Sequence, residues 1–534
     1  MFYFKRCVFN ANVVDERSEI MSYFGPYPWW DEKTVKFQKE TSDFLDTLVE
    51  EEMKTRWTRE FPFEIMEKIG KTGMTGAAIP EEYGGLGLGA TGSCIVAEET
   101  WKRFPGIGRL VVGNFNGGLR QVYEHGTEEQ KKRLLPDIAG GELGAVAITE
   151  ITAGTDASGM TVVAENKGDH YVINGRKRFI VGAGVANRYF IYCQTSFDPA
   201  VIKKHKHLTA FMIHKGIEGF HSERINEILG FENIQNGSLY LKDVKVPIAD
   251  RIGEEGEGWA ILMGGLNFER TNIAGQLSGL HRGILQYVFD YCERRVQFGK
   301  ATLDIPENQF KIANIIMRAK VLRDSVFVTA YKWDLGLNVT IDASAVKGLG
   351  ARLALESGND ATQLLGGDGI NRFYPIMNYF ELGKADHIAG GTVEACQLTV
   401  YGQAKKFMGE DAVMPRRVLD PETRVPVPTY KPISAAEKKS ADAAGVLDLL
   451  AENYMINPGL HMTPGDIMKY IDADEEKTVA IIEELVAAGD AKVIRKRDKI
   501  TLVSASYPGL EKAKPREWYE WYPEFVKNDP RRTF

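Results

Sequence analysis

The hydrophobic pattern of the chain changes character twice, and these two changes constrain the fold more than any other feature. Residues 30–140 have apolar positions at helical spacing on a charged background, as in the run from Val35 to Val49. Between about 145 and 250, short alternating runs such as Tyr189 to Tyr192 take over, which is typical of strands. Beyond 250 the helical period returns. Since 534 residues exceed what one core supports, we predict an α+β multidomain chain.

The two changes set the predicted domain boundaries. An N-terminal extension covers 1–29, and a helical domain covers 30–144. A central β domain, a sandwich or small barrel, covers 145–250, and Asn174-Gly175 inside it predicts a hairpin turn. A C-terminal four-helix domain covers 251–410, with helices predicted over the segments 258–295, 309–337, 341–366 and 390–407.

A second, smaller unit is predicted after residue 410. Residues 411–435 contain five prolines and read as a linker. Residues 436–534 show three short helical patterns, a basic hairpin and an aromatic tail, which together resemble a winged-helix module. The helix that would enter a DNA groove is acidic, from Asp472 to Glu484, so it would repel phosphate. We therefore expect protein contact or bracing of an oligomer from this module, and no nucleic acid.

Composition excludes several classes of protein. The formal net charge of −7 does not favour a nucleic-acid or anionic-membrane binder. No run of 18 apolar residues is present, so we predict no membrane span, and the first 20 residues lack the apolar core of a signal peptide. The five cysteines are scattered without a C-x-x-C pair, which indicates reduced thiols, a cytoplasmic location and no metal site.

One glycine-rich stretch imitates a dinucleotide-binding motif. Gly87, Gly89 and Gly92 form a G-x-G-x-x-G pattern. That motif requires a strand before it, but Pro80 and two glutamates occupy the place of the strand, and helical patterns flank it on both sides. A tight loop between helices is the better interpretation.

Glu269 is the most informative single residue. It lies in the helical run 258–295, whose buried face is predicted from seven aliphatic residues between Leu262 and Val288. A carboxylate in such surroundings is either a salt-bridged structural group or a base with a raised pKa. Taken alone, the helix favours the structural interpretation.

Several stretches together resemble the acyl-CoA dehydrogenase family over about residues 30–408. The segments that carry the resemblance are Pro80 with 83–87, Ala147 to Asp156, Asn174 to Lys177, Val244 to Pro247, Arg295 to Gly299, Gln363 to Gly369, and Gly391-Thr392. Each segment is weak evidence alone, but their order and separation are specific.

The resemblance implies a three-domain fold and a chemistry. Members of the family bind FAD, usually as homotetramers, so a homotetramer or homodimer is expected. They remove the α proton of an acyl-CoA thioester with a carboxylate, while the β hydrogen leaves as hydride to the flavin. The electrons then pass to an electron-transferring flavoprotein.

The chain departs from the common form of the family at the base. Most members carry a Glu at the position of Gly390, in Ala389-Gly390-Gly391-Thr392. A smaller branch, which includes isovaleryl-CoA and long-chain enzymes, places the base on an earlier helix in a Leu-x-x-Glu-Arg pattern. Leu266 to Arg270 matches that pattern, so the resemblance assigns the base to Glu269. Gly390 keeps its backbone N–H as a donor to the thioester oxygen.

The resemblance also implies the remaining site residues. Phe179 and Val181 stand where the family usually has Trp and Thr or Ser, and Val181 has no hydroxyl for the common side-chain hydrogen bond near the flavin. Arg270, Asn267 and Thr155 are expected at the substrate. The expected cofactor-binding residues are Ile148, Thr149, Gly154, Thr155, Phe179, Val181, Arg295, Gln297, Phe298, Gln309, Gln363, Gly367, Thr392 and Glu394.

Three hypotheses remain open at this stage. The leading one is a dehydrogenase that uses Glu269, with a branched, cyclic or bulky acyl group. The second is a flavin monooxygenase or oxidase of the same fold, which rapid oxygen consumption would favour. The third is a flavin-binding scaffold without catalysis that acts through the C-terminal module.

Overall fold

The computed structural model describes residues 24–114, 118–411, 417–419, 426–428, 438–456, 461–496 and 498–514. The chain divides into two compact units, Met1–Phe407 and Met408–Phe534. Most of the predicted N-terminal extension and the aromatic tail lie outside the described residues. Among the helices that are described, none is long and apolar enough to cross a membrane.

The first unit begins with a helical domain. The chain reverses through 3₁₀ turns and glycines between Met74 and Gly87, so the glycine-rich stretch is a loop that precedes a helix, as expected. Thr127 and Gln130 form a reciprocal cap that starts the last helix of the domain. The helices are α1 (Glu32–Asp46), α2 (Val49–Thr58), α3 (Phe63–Gly70), α4 (Gly89–Arg103), α5 (Pro105–Asn114), α6 (Arg120–His125) and α7 (Glu128–Ala139).

A central β-sheet domain follows, as predicted. Its eight strands form one sheet in the order β6-β7-β3-β2-β4-β5-β8, and β1 pairs with β4 in parallel. A short helix, α8 (Pro199–Lys203), interrupts the strands. The strands are β1 (Gly144–Ala147), β2 (Val163–Asn166), β3 (His170–Val181), β4 (Arg188–Gln194), β5 (Leu208–His214), β6 (Phe220–Arg224), β7 (Asn236–Pro247) and β8 (Arg251–Ile252).

The predicted turn at Asn174-Gly175 was wrong. Both residues lie inside β3, where the register with β7 shifts between Ile173 and Gly175. Gly175 has a φ of 141°, and a Cβ there would come within 2.8 Å of the Val162 side chain. The Asn-Gly pair therefore marks a β-bulge with a close contact, and long-range pairing with β7 outweighs the local turn preference.

The C-terminal helical domain contains one helix more than predicted. The additional helix, α12, follows Pro375 and ends just before Gly390. A small hairpin of β9 (Val296–Gln297) and β10 (Lys300–Ala301) separates the first two helices. The helices are α9 (Gly258–Arg294), α10 (Pro306–Asp334), α11 (Thr340–Leu365), α12 (Ile376–Ile388) and α13 (Val393–Asp411).

Glycines on α9 allow this helix to pack closely against α4. Gly275, Gly279 and Gly283 recur every four residues and therefore lie on one face. A Cβ on Gly279 would overlap the backbone carbonyl of Glu98, and one on Gly283 would overlap that of Lys102. The face of α9 that meets α4 is therefore set by backbone contact, which fixes where Glu269 lies.

The second unit is small. Two short strands, β11 (Arg417–Leu419) and β12 (Pro426–Pro428), pair within the proline-rich stretch. Its own core is formed around Leu450, Ile482 and Val503. The other elements are α14 (Ala443–Ile456), α15 (Pro464–Met468), α16 (Glu475–Ala487), β13 (Ala491–Lys496), β14 (Lys499–Ala505) and α17 (Tyr507–Ala513).

Candidate active site

Glu269 and Gly390 lie next to each other in space, although 121 positions separate them in the chain. Glu269 is half-buried on α9. Its Oε1 atom lies 3.7 Å from the point where a Cβ on Gly390 would stand. The carboxylate of Glu269 therefore occupies the space beside the turn between α12 and α13.

The turn itself has the backbone conformation and the tight surroundings that favour glycine. Gly390 and Gly391 have φ values of 66° and 85°, which is the left-handed region that favours glycine. A Cβ on Gly390 would overlap the Ile273 side chain. Within the described part of the chain, the Gly390 N–H donates no hydrogen bond. A side chain at position 390 would displace the end of Ile273, whereas glycine fits the turn as it stands and leaves one free backbone donor.

Two cationic side chains hold the backbone of this turn. Arg270 is buried; its Nε donates to the Gly390 carbonyl at 3.3 Å and its Nη1 to Ser344 Oγ at 3.0 Å. Lys347, fully buried on α11, donates from Nζ to the Gly391 carbonyl. Since both carbonyls are bonded to charged donors, α9 and α11 together fix the conformation of the turn.

Burial raises the pKa of Glu269 above its ordinary value, and the positive charges of Arg109, Arg270 and Lys347 limit that rise. Over the described residues, no group donates a hydrogen bond to its carboxylate, so the cations act only at a distance. Burial lowers the pKa of Lys347 to about 8, with Arg270 and Arg109 pushing it in the same direction. A carboxyl group with a raised pKa and no direct partner is suited to accept a proton.

Sequence reasoning missed Arg109, Lys347 and Asp386. Arg109 on α5 is ion-paired with Asp386 on α12, and both side chains are buried. The sequence did contain a signal for Arg109 and Lys347, because each is a single charge within a run of apolar and small residues. The pattern did not reveal that both cations approach Glu269.

The predicted cofactor residues of the β domain form a second group. Ile148 and Thr149 directly follow β1, and the Arg178 N–H donates to the Thr149 carbonyl at 2.9 Å. This bond places Ile148 and Thr149 close to Phe179 in the neighbouring strand. The Phe179 side chain is 46% exposed and its backbone φ is 58°, whereas Val181 is half-buried. Gly154 and Thr155 are exposed in the loop after β1.

A third group surrounds a cavity of about 440 Å³ near the β9–β10 hairpin. Gln309 is exposed at the start of α10 and does not line it, whereas its neighbour Asn308 does. Two other predicted residues, Thr392 and Glu394, do not line this cavity either. Thr392 caps α13 by accepting from the Ala395 N–H at 3.1 Å, and Glu394 is exposed in the first turn of that helix. The predicted residues that line this cavity are Arg295, Gln297, Phe298, Gln363 and Gly367.

Three family models match consecutive parts of the chain. The acyl-CoA dehydrogenase N-terminal domain matches residues 31–142, the middle domain 145–244 and the C-terminal domain 256–404. These ranges follow the helical, β-sheet and helical domains of the first unit.

Known proteins support the same assignment. The short-chain specific acyl-CoA dehydrogenase of Clostridium acetobutylicum is 34% identical over 347 residues, which cover 65% of this chain and 90% of that protein. The mitochondrial isovaleryl-CoA dehydrogenase of Pongo abelii is 31% identical, covering 63% of this chain and 79% of that protein. The structure of butyryl-CoA dehydrogenase from Megasphaera elsdenii matches with a TM-score of 0.68 and 30% identity, over 70% of this chain and 99% of that one.

The chain therefore belongs to the acyl-CoA dehydrogenase family. It is an oxidoreductase, and its cofactor is the FAD on which this family depends. The residues around the cavity fit such a group, because an Arg guanidinium suits phosphate, the Gln297 and Gln363 amides can hydrogen-bond, and Gly366 and Gly367 leave space for close approach.

Proposed function

We propose that this protein catalyses α,β-dehydrogenation of an acyl-CoA thioester, with Glu269 as the base that removes the α proton. One observation carries the proposal. The Glu269 carboxylate lies beside Gly390, with Oε1 3.7 Å from the origin of the side chain that Gly390 lacks. A carboxylate from α9 thus stands where the common family pattern would supply one from the turn.

The chain's own groups divide the work of proton removal. An α proton next to a thioester is weakly acidic, so its carbonyl oxygen must be stabilised as negative charge develops. In the proposed mechanism the free N–H of Gly390 donates to that oxygen, and the bonds of Arg270 and Lys347 to the turn carbonyls support this role by holding the turn. The raised pKa of Glu269 strengthens it as a proton acceptor near neutral pH. Bound FAD supplies the acceptor for the β hydride.

The cofactor residues fall into two groups with different surroundings. The β-domain group, from Ile148 to Val181, would hold the flavin ring near Glu269. The second group is exposed and consists of Arg295, Gln297, Phe298, Gln363 and Gly367. It would contact the FAD of a neighbouring subunit, so we propose a homotetramer or homodimer. Val296 and Phe298, at the same hairpin, are 57% and 94% exposed in a single chain, and neighbouring exposed apolar side chains are typical of an interaction surface. The proposed electron acceptor is an electron-transferring flavoprotein.

Substrate entry is proposed at a cavity of about 300 Å³ that Asn267 lines together with Arg120, Trp333 and Asn338. Asn267 and Glu269 belong to the same helix, α9, and the Asn267 amide donates to Thr340 Oγ1 at 3.1 Å on this side of the helix. Arg270 was expected at CoA, but its guanidinium is bonded to Gly390 and Ser344. We therefore propose that Arg270 positions the turn and does not contact CoA.

Replacing Glu269 tests the mechanism. Glu269→Gln should slow flavin reduction by an acyl-CoA by about 10²–10⁴-fold, because the amide cannot accept the proton. The measurement is anaerobic bleaching of the flavin absorbance with a panel of thioesters. Glu381→Gln is the matched control, since burial also raises the pKa of Glu381, on α12, yet its other influences are Glu232, Arg372 and Gly230.

The FAD content of both variants should equal that of the wild type. A Glu269→Gln variant that bleaches at nearly the wild-type rate would remove Glu269 from the mechanism. If no thioester bleaches the wild-type flavin while oxygen consumption is rapid, an oxidase or monooxygenase of the same fold replaces the dehydrogenase.

For residues 436–534 we propose a winged-helix-like module that contacts protein and not DNA. The exposed side chains of α16 include Glu475, Glu476 and Glu484, which would repel phosphate. Basic residues on the β13–β14 hairpin are partly neutralised, since Arg495 forms a bidentate pair with Glu483 at 2.8 and 2.7 Å. DNA affinity that falls steeply with added salt would contradict this proposal.

A further inference from the structure

Beyond Glu269, the interior of the first unit contains further buried polar groups. Five buried side chains, which we call the polar subsite, each keep one N or O atom without a hydrogen-bond partner among the described residues. Each of these side chains is at most 7% exposed. The subsite residues and their unpartnered atoms are Trp101 Nε1, Arg109 Nε, Asn272 Oδ1, Gln276 Oε1 and Asp386 Oδ2.

These residues form one cluster. Arg109 is ion-paired with Asp386, and its guanidinium carbon lies 5.0 Å from the centre of the Trp101 ring. Gln276 Nε2 donates to the carbonyl of Gly108, the neighbour of Arg109, at 3.3 Å. A Cβ on Gly108 would stand 2.8 Å from Trp101 Nε1. Helices α4, α5, α9 and α12 thus bring these groups together.

The cluster also lies in line with the proposed base. Asn272 and Gln276 follow Glu269 by three and seven positions, so all three share one face of α9. At 1.5 Å of rise per residue, the cluster extends about 5 to 10 Å along the helix from Glu269. Arg109 is close enough for its charge to influence Glu269. An acyl chain that has its α carbon at Glu269 and extends along this face of α9 would bring its far end to the cluster.

The unpartnered atoms specify the kind of group that fits. Trp101 Nε1 and Arg109 Nε are donors, whereas Asn272 Oδ1, Gln276 Oε1 and Asp386 Oδ2 are acceptors. A hydrocarbon end would satisfy none of them. A carboxylate only accepts, so it would face three acceptors, including the Asp386 carboxylate. A hydroxyl group both donates and accepts, and it adds no charge to the Arg109–Asp386 pair.

We propose that the polar subsite selects acyl-CoA thioesters that carry a hydroxyl group several carbons beyond the reacting bond. This inference rests on the proposed function and names its substrate class. A site built to hydrogen-bond a hydroxyl discriminates strongly against the analogue that lacks it, because its own polar atoms are then left unpaired.

The test compares matched thioesters on the FAD-loaded protein. Straight-chain acyl-CoAs of four to eight carbons are each paired with their ω-hydroxy and ω-carboxy analogues, and anaerobic flavin bleaching gives a rate constant and an apparent Kd. At the chain length that reacts best, the rate constant divided by the apparent Kd should be about 100-fold larger for the hydroxy compound than for the unsubstituted one. An equal ratio, or preference for the carboxy compound, overturns the proposal.

Variants tie the preference to the subsite. Gln276→Leu and Asn272→Leu should each reduce the preference to about tenfold or less, because each leucine removes a buried polar atom that a hydrocarbon end leaves unpaired. Arg109→Met alone would leave Asp386 unpaired, so Arg109→Met/Asp386→Leu is used to remove both charges. Ser357→Ala is the control, because Ser357 is another buried hydroxyl without a partner, on α11.

The two proposals fail in different ways. Suppose that dithionite bleaches the flavin but neither the plain nor the hydroxylated thioesters do. The dehydrogenase function is then wrong, and the proposed substrate class is wrong with it. If plain thioesters bleach it as well as hydroxylated ones, or the leucine variants keep the full preference, the function stands and the hydroxyl-selecting subsite is wrong.

Discussion

Glu99 and Glu269 are both acidic residues on helices of the first unit, both lie near several cations, and their pKa values shift in opposite directions. Arg103 and Arg282 bond the Glu99 carboxylate directly, at 2.7 and 2.8 Å. Although burial alone would raise it, the pKa of Glu99 is held well below its ordinary value by Arg282, Lys102 and Arg103. Glu269 has cations nearby but no direct donor within the described chain, and burial raises its pKa.

The comparison shows what separates a structural carboxylate from a base. Proximity of positive charge is common to both sites, so it does not decide the outcome. Direct hydrogen bonds to the ionised form stabilise Glu99 as a carboxylate. At Glu269 the nearby donors are used elsewhere, since Arg270 and Lys347 bond the Gly390–Gly391 turn and Arg109 bonds Asp386.

The largest effect on stability is expected at Glu99. Glu99→Gln should lower the free energy of unfolding by about 3–5 kcal/mol, because two charge-assisted hydrogen bonds of buried arginines are lost, although Arg282 keeps Glu98 and Arg103 keeps Asp46. Glu269→Gln should not lower it, since the native protein already disfavours the ionised form of Glu269. Chemical denaturation of both variants at neutral pH measures the contrast, and equal destabilisation would contradict it.

The pH dependence of flavin reduction should separate the two carboxylates further. Glu269 must be ionised to act, so the rate should fall about tenfold per pH unit below its raised pKa. Because its pKa is lowered in the folded protein, Glu99 contributes stability that is fully present above the ordinary pKa of a glutamate. This stability is lost as the pH falls through the pKa that Glu99 has in the folded protein. Activity should thus be lost at a higher pH than structure. Rates from stopped-flow bleaching and unfolding followed by circular dichroism, over the same pH series, make this comparison.

Gly390→Ala tests the turn beside Glu269. The new methyl group would overlap Ile273 in a left-handed conformation, which should destabilise the protein by about 1–3 kcal/mol. Flavin reduction should fall as well, because the Gly390 N–H moves from its place. Gly402→Ala is the control, since a Cβ there also meets no atom within 4 Å and Gly402, on α13, is outside the proposed site. Equal behaviour of the two variants in melting and bleaching would show that the turn tolerates a side chain.

The smallest expected effect is at Lys347. Lys347→Met removes one of three cations that oppose the rise in the pKa of Glu269, so the acid limb of the rate profile should move to higher pH. The maximal rate should fall about tenfold, because the Gly391 carbonyl loses its donor. Lys102→Met is the matched control. Burial lowers the pKa of Lys102 to about 8 as well, but its neighbours are Arg282 and Glu99. An unmoved acid limb in Lys347→Met would exclude Lys347 from the site.

Much of the fold could be predicted because local pattern and tertiary structure agree. The helix predicted over 258–295 is observed as Gly258–Arg294, and the three domain types follow the chain in the predicted order. Predictions failed where a distant contact outweighed a local preference. Asn174-Gly175 has turn chemistry, but pairing with β7 keeps it inside a strand.

The sequence by itself determined that a carboxylate is absent at position 390 and present at position 269, because residue identity and spacing carry that information. Only the tertiary structure decided that these positions adjoin, that two cations hold the turn, and that Arg109 and Asp386 lie near the base. Those facts depend on how four helices pack. Packing brings residues together that are far apart in the chain, and their separation in the sequence does not predict their distance in space.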